Sequence, residues 1–418
     1  MTNETNINQL VDHLFRHESG RIVATLTRIF GAGNLQLAED VVQETLIKAM
    51  QQWSYKGIPE NPSAWLMTVA KNRALDILRR DSNYQQKLSL IEPEIERQSF
   101  EDSLSLDDSI EDDMLVMLFM GCHPALSTEM QITLLLKTLA GFSVSEIAHA
   151  FLLSDATIAQ RIVRAKRTIR EKNIIFKLPD ETIFSQRLHT VLMVIYLLFS
   201  EGYKASEGNQ LIRNDLCYEA IRLCELLLGH PQGNLPEVHA LMALMLLQSS
   251  RLDARIKDGH LILLSEQDRT QWNQNAIQPG LYHLEQSASG NNLSVYHLQA
   301  GIAACHATAR SYEATDWQQI LNYYDLLIKQ QDSPIIQLNR LVALSYAENV
   351  VIAKAQLQEL TGLEEYYLYH ATLADFDYRL NKPASAITHY RIALSLTYNT
   401  IEQRFIEERV ARIEKSPS

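Results

Sequence analysis

The polar and charged residues of this 418-residue chain indicate a binding function, because they form no recognisable catalytic motif. The sequence lacks the nucleotide-binding pattern GxxxxGK[ST], the serine-nucleophile pattern GxSxG and the zinc-peptidase pattern HExxH. His13 and His17 stand four residues apart beside Glu18, a spacing that can hold a metal ion. Without a third ligand nearby, a solvated helix face explains this pair better. We therefore predict no catalytic residue, no metal site and no cofactor, and a protein that is not an enzyme.

The strongest candidate for binding is segment 143–170, SVSEIAHAFLLSDATIAQRIVRAKRTIR. Its first residues can form a short helix, LLS can turn the chain, and Ser154 followed by Asp155 suits the start of a second helix. One face of that second helix is apolar, with Ile158, Ile162, Ala165 and Ile169 at helical spacing. The opposite face and its flank carry polar and basic residues, namely Thr157, Gln160, Arg161, Arg164 and Arg167.

Two helices joined by a tight turn predict a helix-turn-helix that binds DNA. Short polar residues near the start of a recognition helix can reach base edges in the major groove, and later Arg side chains can hold phosphates. A solvated basic face on an ordinary surface helix is the alternative, and charge alone would favour it. The short helix, the turn and the N-cap that precede the basic helix favour DNA.

A second candidate surface lies on segment 37–50, LAEDVVQETLIKAM. One side of this helix is apolar and the opposite side carries Asp40, Gln43, Glu44 and Ile47. The apolar side consists of Leu37, Ala38, Val41, Val42 and Ala49. An acidic and amide surface with one apolar residue suits docking onto the helices of another protein and does not suit gripping DNA. Taken alone, the same face is typical of ordinary solvated surface.

A third candidate surface follows the loop KGIPENP at 56–62. The helix that comes next carries Trp65 near its start. The residues that this helix is predicted to expose are Lys71, Asn72, Asp76, Arg79 and Arg80. A shaped loop followed by cations, amides and an aromatic ring is what unstacked single-stranded DNA requires. A core position for Trp65 is an equal alternative.

Helical periodicity runs through almost the whole chain and strand-like alternation is rare, so we predict an all-α fold. The composition is 46% hydrophobic and 21% charged with a formal net charge of −12, as in an ordinary soluble protein. The longest apolar run, 191–199, is too short for a membrane span and predicts a buried helix. No signal peptide is evident and the four cysteines lack metal spacing, so we expect reduced thiols, a cytoplasmic location and no membrane partner.

Composition divides the chain into four parts. We predict a helical unit at 8–88, an acidic linker at 89–113, a second small helical unit at 114–177 and a long helical region at 179–418. Segment 91–113 holds 10 acidic residues and one basic residue, which is typical of an exposed, flexible linker. Near the C-terminus, small residues beside a large aromatic one resemble tetratricopeptide repeats. These residues are Ala384, Ala386, Tyr390 and Ala393.

In this order and spacing, AEDVVQETLIKAMQQW, NPSAWLMTVAKNRALDILRR and the helix-turn-helix resemble bacterial sigma factors of the extracytoplasmic-function group. The resemblance covers roughly residues 8–175. It implies that the front unit is sigma region 2, which grips the clamp helices of the RNA polymerase β′ subunit and melts the promoter −10 element. It also implies that the second unit is region 4, which reads the −35 element and touches the β flap.

The resemblance further implies roles for individual residues. Those implied to bind polymerase are Asp40, Gln43 and Glu44. Those implied to engage the −10 strand are Asn61, Trp65, Asn72, Asp76, Arg79 and Arg80. Those implied to read or hold −35 DNA are Thr157, Gln160, Arg161 and Arg164, with Arg167 on a phosphate. The acidic linker is implied to run near the polymerase active site and RNA exit channel, although a plain tether explains its charge nearly as well.

The back half resembles the subgroup of these sigma factors that carries a long C-terminal helical extension. Stretches such as HTVLMVIYLLFSEGYKAS and SPIIQLNRLVALSYAE carry the likeness over most of 186–410. The likeness implies a regulatory module with tetratricopeptide-like repeats, on which a regulatory protein or a ligand is a possible partner.

Two other functions stay open. A stand-alone helix-turn-helix regulator with a ligand-sensing helical domain would bind duplex DNA tightly without polymerase. An enzyme within 179–330 would need a deep polar pocket with strongly shifted titrating groups. A pocket for an anionic ligand would draw on Arg251, Arg255, Asp258, Asp268, Arg269 and Trp272. An internal salt-bridge network among these residues is the favoured alternative.

Overall fold

The computed structural model describes residues 18–80, 105–151, 153–204, 212–257, 260–290 and 292–415. The chain forms two compact units, Met1–Val194 and Ile195–Ser418. His13 and His17 lie outside the described residues, so the structure does not test that pair.

The described residues are almost entirely helical, which confirms the predicted all-α fold. The strands among them are β1 (Ile256–Lys257) and β2 (His260–Leu261), each of 2 residues. The two strands pair antiparallel, with Ile256 opposite Leu261 and Lys257 opposite His260. With so little sheet, the core of each unit comes from helix packing.

The helices of the first unit begin and end close to the breaks that Pro and Gly predict. In chain order they are α1 (18–30), α2 (Leu35–Lys56), α3 (Pro62–Arg80), α4 (Ser105–Gly121), α5 (Thr128–Thr138), α6 (Val144–Phe151), α7 (Asp155–Glu171) and the first half of α8 (Glu181–Tyr203). A 3-10 turn, Ala32–Asn34, joins α1 to α2. Gly57 follows α2 with a φ of 79°, which favours glycine, and Pro62 begins α3. These two residues fix where the loop between α2 and α3 starts and stops.

The C-terminal end of the predicted acidic linker is part of a helix. Residues 89–104 lie outside the described part of the chain, but α4 begins at Ser105, so the C-terminal end of the linker is helical. Asp113 at this end is 4% exposed and accepts a hydrogen bond from Arg28 Nε at 3.1 Å. The prediction of an exposed, flexible segment is therefore wrong here, because Arg28 on α1 supplies the partner that a buried carboxylate needs.

Helix α8 belongs to both units. The compact units divide at residue 194, inside this helix, and not at the predicted boundary near 178. The first half of α8 packs within the first unit, where the rings of Phe184 and Phe119 stack with 4.3 Å between their centroids. The division into four functional parts stays a prediction.

By length and composition alone, α8 is also able to cross a membrane. The core helix of a soluble protein meets the same criterion. Phe184, Leu188, Val191 and Ile195 of α8 are each no more than 1% exposed, as the sequence predicts for a buried helix.

The second unit is built from consecutive helices that pack against their neighbours. After the second half of α8 they are α9 (Asn214–Gly229), α10 (Pro236–Ser249), α11 (Gln274–Ser287), α12 (Val295–Thr308), α13 (Trp317–Gln330), α14 (Pro334–Ala347), α15 (Val350–Glu359), α16 (Tyr367–Arg379), α17 (Pro383–Leu396) and α18 (Thr400–Lys415). A 3-10 turn, Arg269–Gln271, lies before α11. Helix α13 packs against α14, and α16 packs against α17, as in helical hairpins.

Part of the predicted repeat face is buried. Ala386, Tyr390 and Ala393 on α17 lie in one apolar cluster with Ile406 of α18. Ala384, the second residue of α17, is exposed and lies outside this cluster. The tetratricopeptide-like character of the unit stays a prediction.

Three of the four cysteines are buried, as expected for structural thiols. Cys122, Cys217 and Cys224 are buried, Cys305 is half-buried, and all four are free. Burial raises the pKa of the Cys217 thiol to about 12, so the thiolate that reactive cysteines use is scarce at neutral pH.

Candidate nucleic-acid interface

The predicted helix-turn-helix forms from α6, a short turn and α7. Helix α6 starts with a capping box, in which the Ser143 backbone N–H donates to Glu146 and the Glu146 N–H donates to the Ser143 hydroxyl. Ser154 caps α7, since its hydroxyl oxygen accepts from the Thr157 N–H at 3.2 Å. The predicted apolar stripe is the buried face of α7, with Ile158, Ile162, Ala165 and Ile169 between 0% and 6% exposed.

The opposite face of α7 lies in solvent. Gln160, Arg164 and Arg167 are exposed, and Thr157 and Arg161 are half-buried at its flank. Arg167 pairs with Glu171 one turn later at 2.6 Å, and this hydrogen bond raises the pKa of the guanidinium. The helix therefore presents polar side chains near its start and cations further along, as a recognition helix requires.

Helix α2 carries the predicted docking surface. Asp40, Gln43 and Glu44 are exposed on one side, and Ile47 and Met50 continue the same side at 55% and 53% exposure. The surface is thus acidic and amide at one end and apolar at the other, which suits contact with another protein.

The third predicted surface begins at the N-terminus of α3. Asn61 caps this helix, because its side-chain oxygen accepts from the Ala64 N–H at 3.0 Å. Trp65 is half-buried and meets the buried Trp53 edge-on, with 5.5 Å between ring centroids. Asn72 and Asp76 are exposed. The helix extends through Arg79 and Arg80, whose side chains lie outside the described residues.

The predicted exposure of Lys71 is wrong. Its side chain is buried at 9% exposure, and this burial, with the charge of Arg28 nearby, lowers the pKa of its ammonium. Lys71 follows Met67 by one turn and precedes Leu75 by one turn, and both are buried. Lys71 therefore lies on the core-facing stripe of α3.

The three surfaces lie on three different helices of the first unit. Residues 14–84 match the Sigma-70 region 2 family. The ECF RNA polymerase sigma factor SigL of Mycobacterium tuberculosis (strain ATCC 25618 / H37Rv) is 30% identical over 139 residues, which are 33% of this chain and 75% of that protein. The chain belongs to the sigma-70 family of RNA polymerase sigma factors.

A second relative extends through the back half of the sigma factor. An uncharacterized protein of Rhizobium meliloti (strain 1021) is 37% identical over 393 residues, which are 92% of each chain. Residues 187–288 also match a family of unknown function, DUF6596. No solved structure matches the chain. Membership of the family makes the protein a transcription initiation factor that works with the polymerase core and promoter DNA.

In the structure, α2 of region 2 and helix α7 touch. The Lys166 ammonium of α7 is 2.8 Å from a Glu39 carboxylate oxygen and donates to Gln36 at 2.8 Å. Both charged side chains are nearly buried, Lys166 at 9% and Glu39 at 10% exposure. At the end of α7, Arg170 Nε donates to the Gly33 carbonyl at 3.3 Å.

Sequence reasoning missed this contact, although it left one signal. Lys166 follows Ile162 by four residues and precedes Ile169 by three, so it lies on the apolar stripe of α7. A lysine in that position needs an anionic partner from another element. The periodicity does not say which carboxylate that is.

The contact brings part of the predicted docking surface close to the helices α5 to α7. Asp40 and Gln43 line a cavity of 210 Å³ together with Lys137, which lies on α5, and Gly141, which follows α5. The cavity also contains Glu39, the partner of Lys166. Helix α5 and the residues that follow it therefore stand beside one end of the α2 surface.

Arg73 is a further residue that sequence reasoning missed. Its guanidinium on α3 is 2.5 Å from the Glu44 carboxylate of α2. This hydrogen bond lowers the pKa of Glu44, so the carboxylate stays ionised at neutral pH. Two of the predicted surfaces, those of α2 and α3, are thus joined by an exposed ion pair.

Proposed function

We propose that this sigma factor is of the extracytoplasmic-function type and directs RNA polymerase, in the cytoplasm, to a specific set of promoters. In this proposal region 2 (8–88) docks on the β′ clamp through α2 and engages the −10 strand through the loop at Asn61 and through α3. Region 4 (114–177) reads the −35 element through α7 and touches the β flap. Residues 179–418 form an extension that regulates initiation.

One observation carries the proposal: α7 holds its cations in solvent although the chain as a whole is acidic. Gln160 and Arg164 are exposed on a helix whose N-terminus is capped and whose opposite face is buried. With a net charge of −12, the chain has no general attraction to DNA, so binding depends on a local cationic surface of this kind. The match of residues 14–84 to region 2 supports the same role.

The proposal requires region 4 to leave region 2 when polymerase binds. Asp40 and Gln43, which would face the clamp helices, share a cavity with Lys137. Polymerase would replace this contact and fix the distance between the two regions. Two weak DNA sites held at a fixed separation act at a high effective concentration, which gives specificity without a strong single site.

A stand-alone regulator is the rival function. The helix-turn-helix and the helical second unit also suit a transcriptional regulator whose back half senses a ligand. Such a protein would bind a duplex tightly by itself and would not depend on the α2 surface.

Capture of polymerase separates the two functions. Purified full-length protein would be compared with the double variant Asp40→Arg plus Gln43→Ala for retention of core RNA polymerase. A matched control is Asp332→Arg plus Gln331→Ala, which makes the same changes at exposed residues of the second unit. Loss of capture by the first variant alone supports the sigma function.

Unchanged capture by the Asp40 and Gln43 variant, or no capture by the unmodified protein, favours the regulator. Transcription in vitro with core polymerase on fragmented genomic DNA would then identify the promoters. Transcripts that start at defined sites only when the protein is present are the expected result.

A further inference from the structure

Two arginines and a tryptophan form a cluster in the second unit. The guanidinium carbon of Arg269 is 4.1 Å from the centroid of the Trp272 ring, and that of Arg251 is 6.0 Å from the same centroid. His306 on α12 lies beside them, since Arg269 Nη1 donates to its backbone carbonyl. None of the carboxylates in the described ranges forms an ion pair with either guanidinium.

This cluster has more hydrogen-bonding capacity than the described residues use. The buried nitrogens without a partner are Arg269 Nε and Nη2, Trp272 Nε1 and His306 Nδ1. Trp272 is only 3% exposed, so its indole N–H is removed from bulk water. A buried donor without a partner destabilises the folded chain. An acceptor that entered here would remove that cost.

The positive charge of the cluster is offset only in part, because Glu313 acts on Arg269 less strongly than burial and Arg251 do. Burial and the charge of Arg251 lower the pKa of Arg269. Burial and both guanidinium groups hold the pKa of His306 at about 3, so its imidazole is neutral at physiological pH. An anion placed between the arginines would offset their repulsion.

Two cavities adjoin the cluster, and Trp272 lines both. The larger has a volume of 450 Å³ and a mixed lining that includes Arg269, Ile277, Leu281 and Arg310. The smaller has a volume of 170 Å³ and a lining that includes Arg251 and His306. Pockets for small molecules usually have about 300–1,000 Å³, apolar walls and a few fixed polar groups, and the larger cavity meets these conditions.

We propose that this cluster binds a small organic anion. Its acid group, a carboxylate or a phosphate, is held by Arg269 and Arg251, and its ring or chain lies against Trp272 in the larger cavity. Guanidinium groups suit both acids because their N–H groups match pairs of acid oxygens. Binding of the anion does not depend on the proposed sigma function. Only an effect of the bound anion on transcription would depend on that function.

Two further residues of the pocket expected from the sequence act elsewhere. Arg255 donates to the Tyr203 carbonyl and lies over the Tyr203 ring at 4.1 Å. Asp268 caps the 3-10 turn by accepting from the Thr270 N–H at 2.9 Å. Asp258 lies outside the described residues. The favoured salt-bridge network is therefore wrong for Arg251 and Arg269, which the described carboxylates leave unpaired.

Fluorine NMR on the full chain tests the proposal at Trp272. The chain has 4 tryptophans, so labelling with 5-fluorotryptophan gives few signals, and the Trp272→Phe variant assigns the one of interest. The probe is phenyl phosphate, which joins one phosphate to a ring. We expect a saturable shift of the Trp272 signal, with a dissociation constant below about 1 mM. Benzyl alcohol, a neutral molecule with a ring, should leave the signal in place.

Arginine variants decide whether the acid group is recognised. Arg269→Gln and Arg251→Gln should each weaken binding of phenyl phosphate at least about tenfold, whereas Arg404→Gln, an exposed arginine on α18, should not change it. If the Arg269→Gln variant loses its helical circular dichroism signal, the affinity of the Arg251→Gln variant is the test. The Arg251 side chain is only half-buried, so this change is less disruptive to the fold.

Three results would overturn the proposal. They are a Trp272 signal that does not move at about 10 mM phenyl phosphate, an equal shift with benzyl alcohol, or unchanged affinity in the folded arginine variants. Because the readout is binding and not transcription, such a result leaves the sigma function as it was. Absence of polymerase capture by the unmodified protein in the earlier experiment would likewise leave this site untouched.

Discussion

Arg164 is the residue of α7 from which the sharpest prediction about DNA follows. Its side chain is exposed, one turn after Gln160. If it reads a base, Arg164→Ala should cost about 1–3 kcal/mol at the −35 element and relax the preference at one base position. Titration of holoenzyme with duplexes that differ at single −35 positions measures this loss.

Arg167→Ala is the control for that measurement. Arg167 is 74% exposed and already pairs with Glu171, so its loss should weaken all sequences alike and by less. If Arg164→Ala instead weakens every duplex equally and lowers the salt dependence by about one phosphate contact, Arg164 holds the backbone and does not read a base.

His306 makes the stability of the second unit depend on pH. Its folded pKa of about 3 lies below the ordinary value of 6.5, so the unfolded chain binds the extra proton first as the pH falls. The contribution of neutral His306 to the free energy of unfolding is therefore complete above about pH 6.5 and is lost as the pH falls towards 3. The loss is at most about 1.4 kcal/mol per pH unit.

Thermal unfolding at pH 7, 6 and 5 tests this prediction. The midpoint of the wild type should fall more steeply with pH than that of His306→Asn. The exposed His189 supplies the control, since His189→Asn should follow the wild type. Parallel curves for the wild type and His306→Asn would contradict it.

At the scale of the element, the contact between α7 and α2 rests on one nearly buried ion pair. Lys166→Met would leave the Glu39 carboxylate, at 10% exposure, without its cation. Breaking one side of such a pair costs about 3–5 kcal/mol, so amide hydrogen exchange in α7 should become much faster. Lys172→Met, at the exposed end of the helix, should change exchange little.

A double variant separates the ion pair from the packing around it. Glu39→Leu plus Lys166→Met removes both charges, and its cost should be smaller than the sum of the single changes. Additive effects would mean that the two side chains do not stabilise each other and that the apolar stripe alone holds α7.

The parts of these elements that depend on nearby residues could be predicted from the sequence. Ile158 and Ile162 repeat at the spacing of one helix face, and Ser154 stands where a cap is needed. Gly57 and Pro62 limit the loop before α3 by their own backbone preferences. Each of these features is settled within about one helical turn of chain.

Other features could not be predicted, because they depend on partners far away in the chain. Lys71 and Lys166 are buried, yet charge alone predicts them to be exposed. Asp113 ends an acidic segment whose composition predicts a flexible linker, but it finds Arg28, which lies 85 residues earlier. A sequence pattern shows that such a charged residue lies on an apolar face. It does not show which residue of opposite charge pairs with it.

At the scale of the whole molecule, the proposed regulatory role of the extension can be tested by truncation. A fragment of residues 1–203 keeps all of α8 and removes the helices that follow it. If the extension regulates, transcription by this fragment with core polymerase should differ from that of the full chain on the same promoter. Equal transcript yields at equal occupancy of polymerase would refute the regulatory role.

The shared helix α8 has a practical consequence for making such fragments. A stop codon at the predicted boundary, after residue 178, would remove Phe184 and leave the Phe119 ring, now 0% exposed, without its stacking partner. We expect that product to aggregate during purification, whereas a product that ends at Tyr203 keeps this ring pair. The predicted boundary between functional parts, near residue 178, is therefore not a position at which the chain can be truncated.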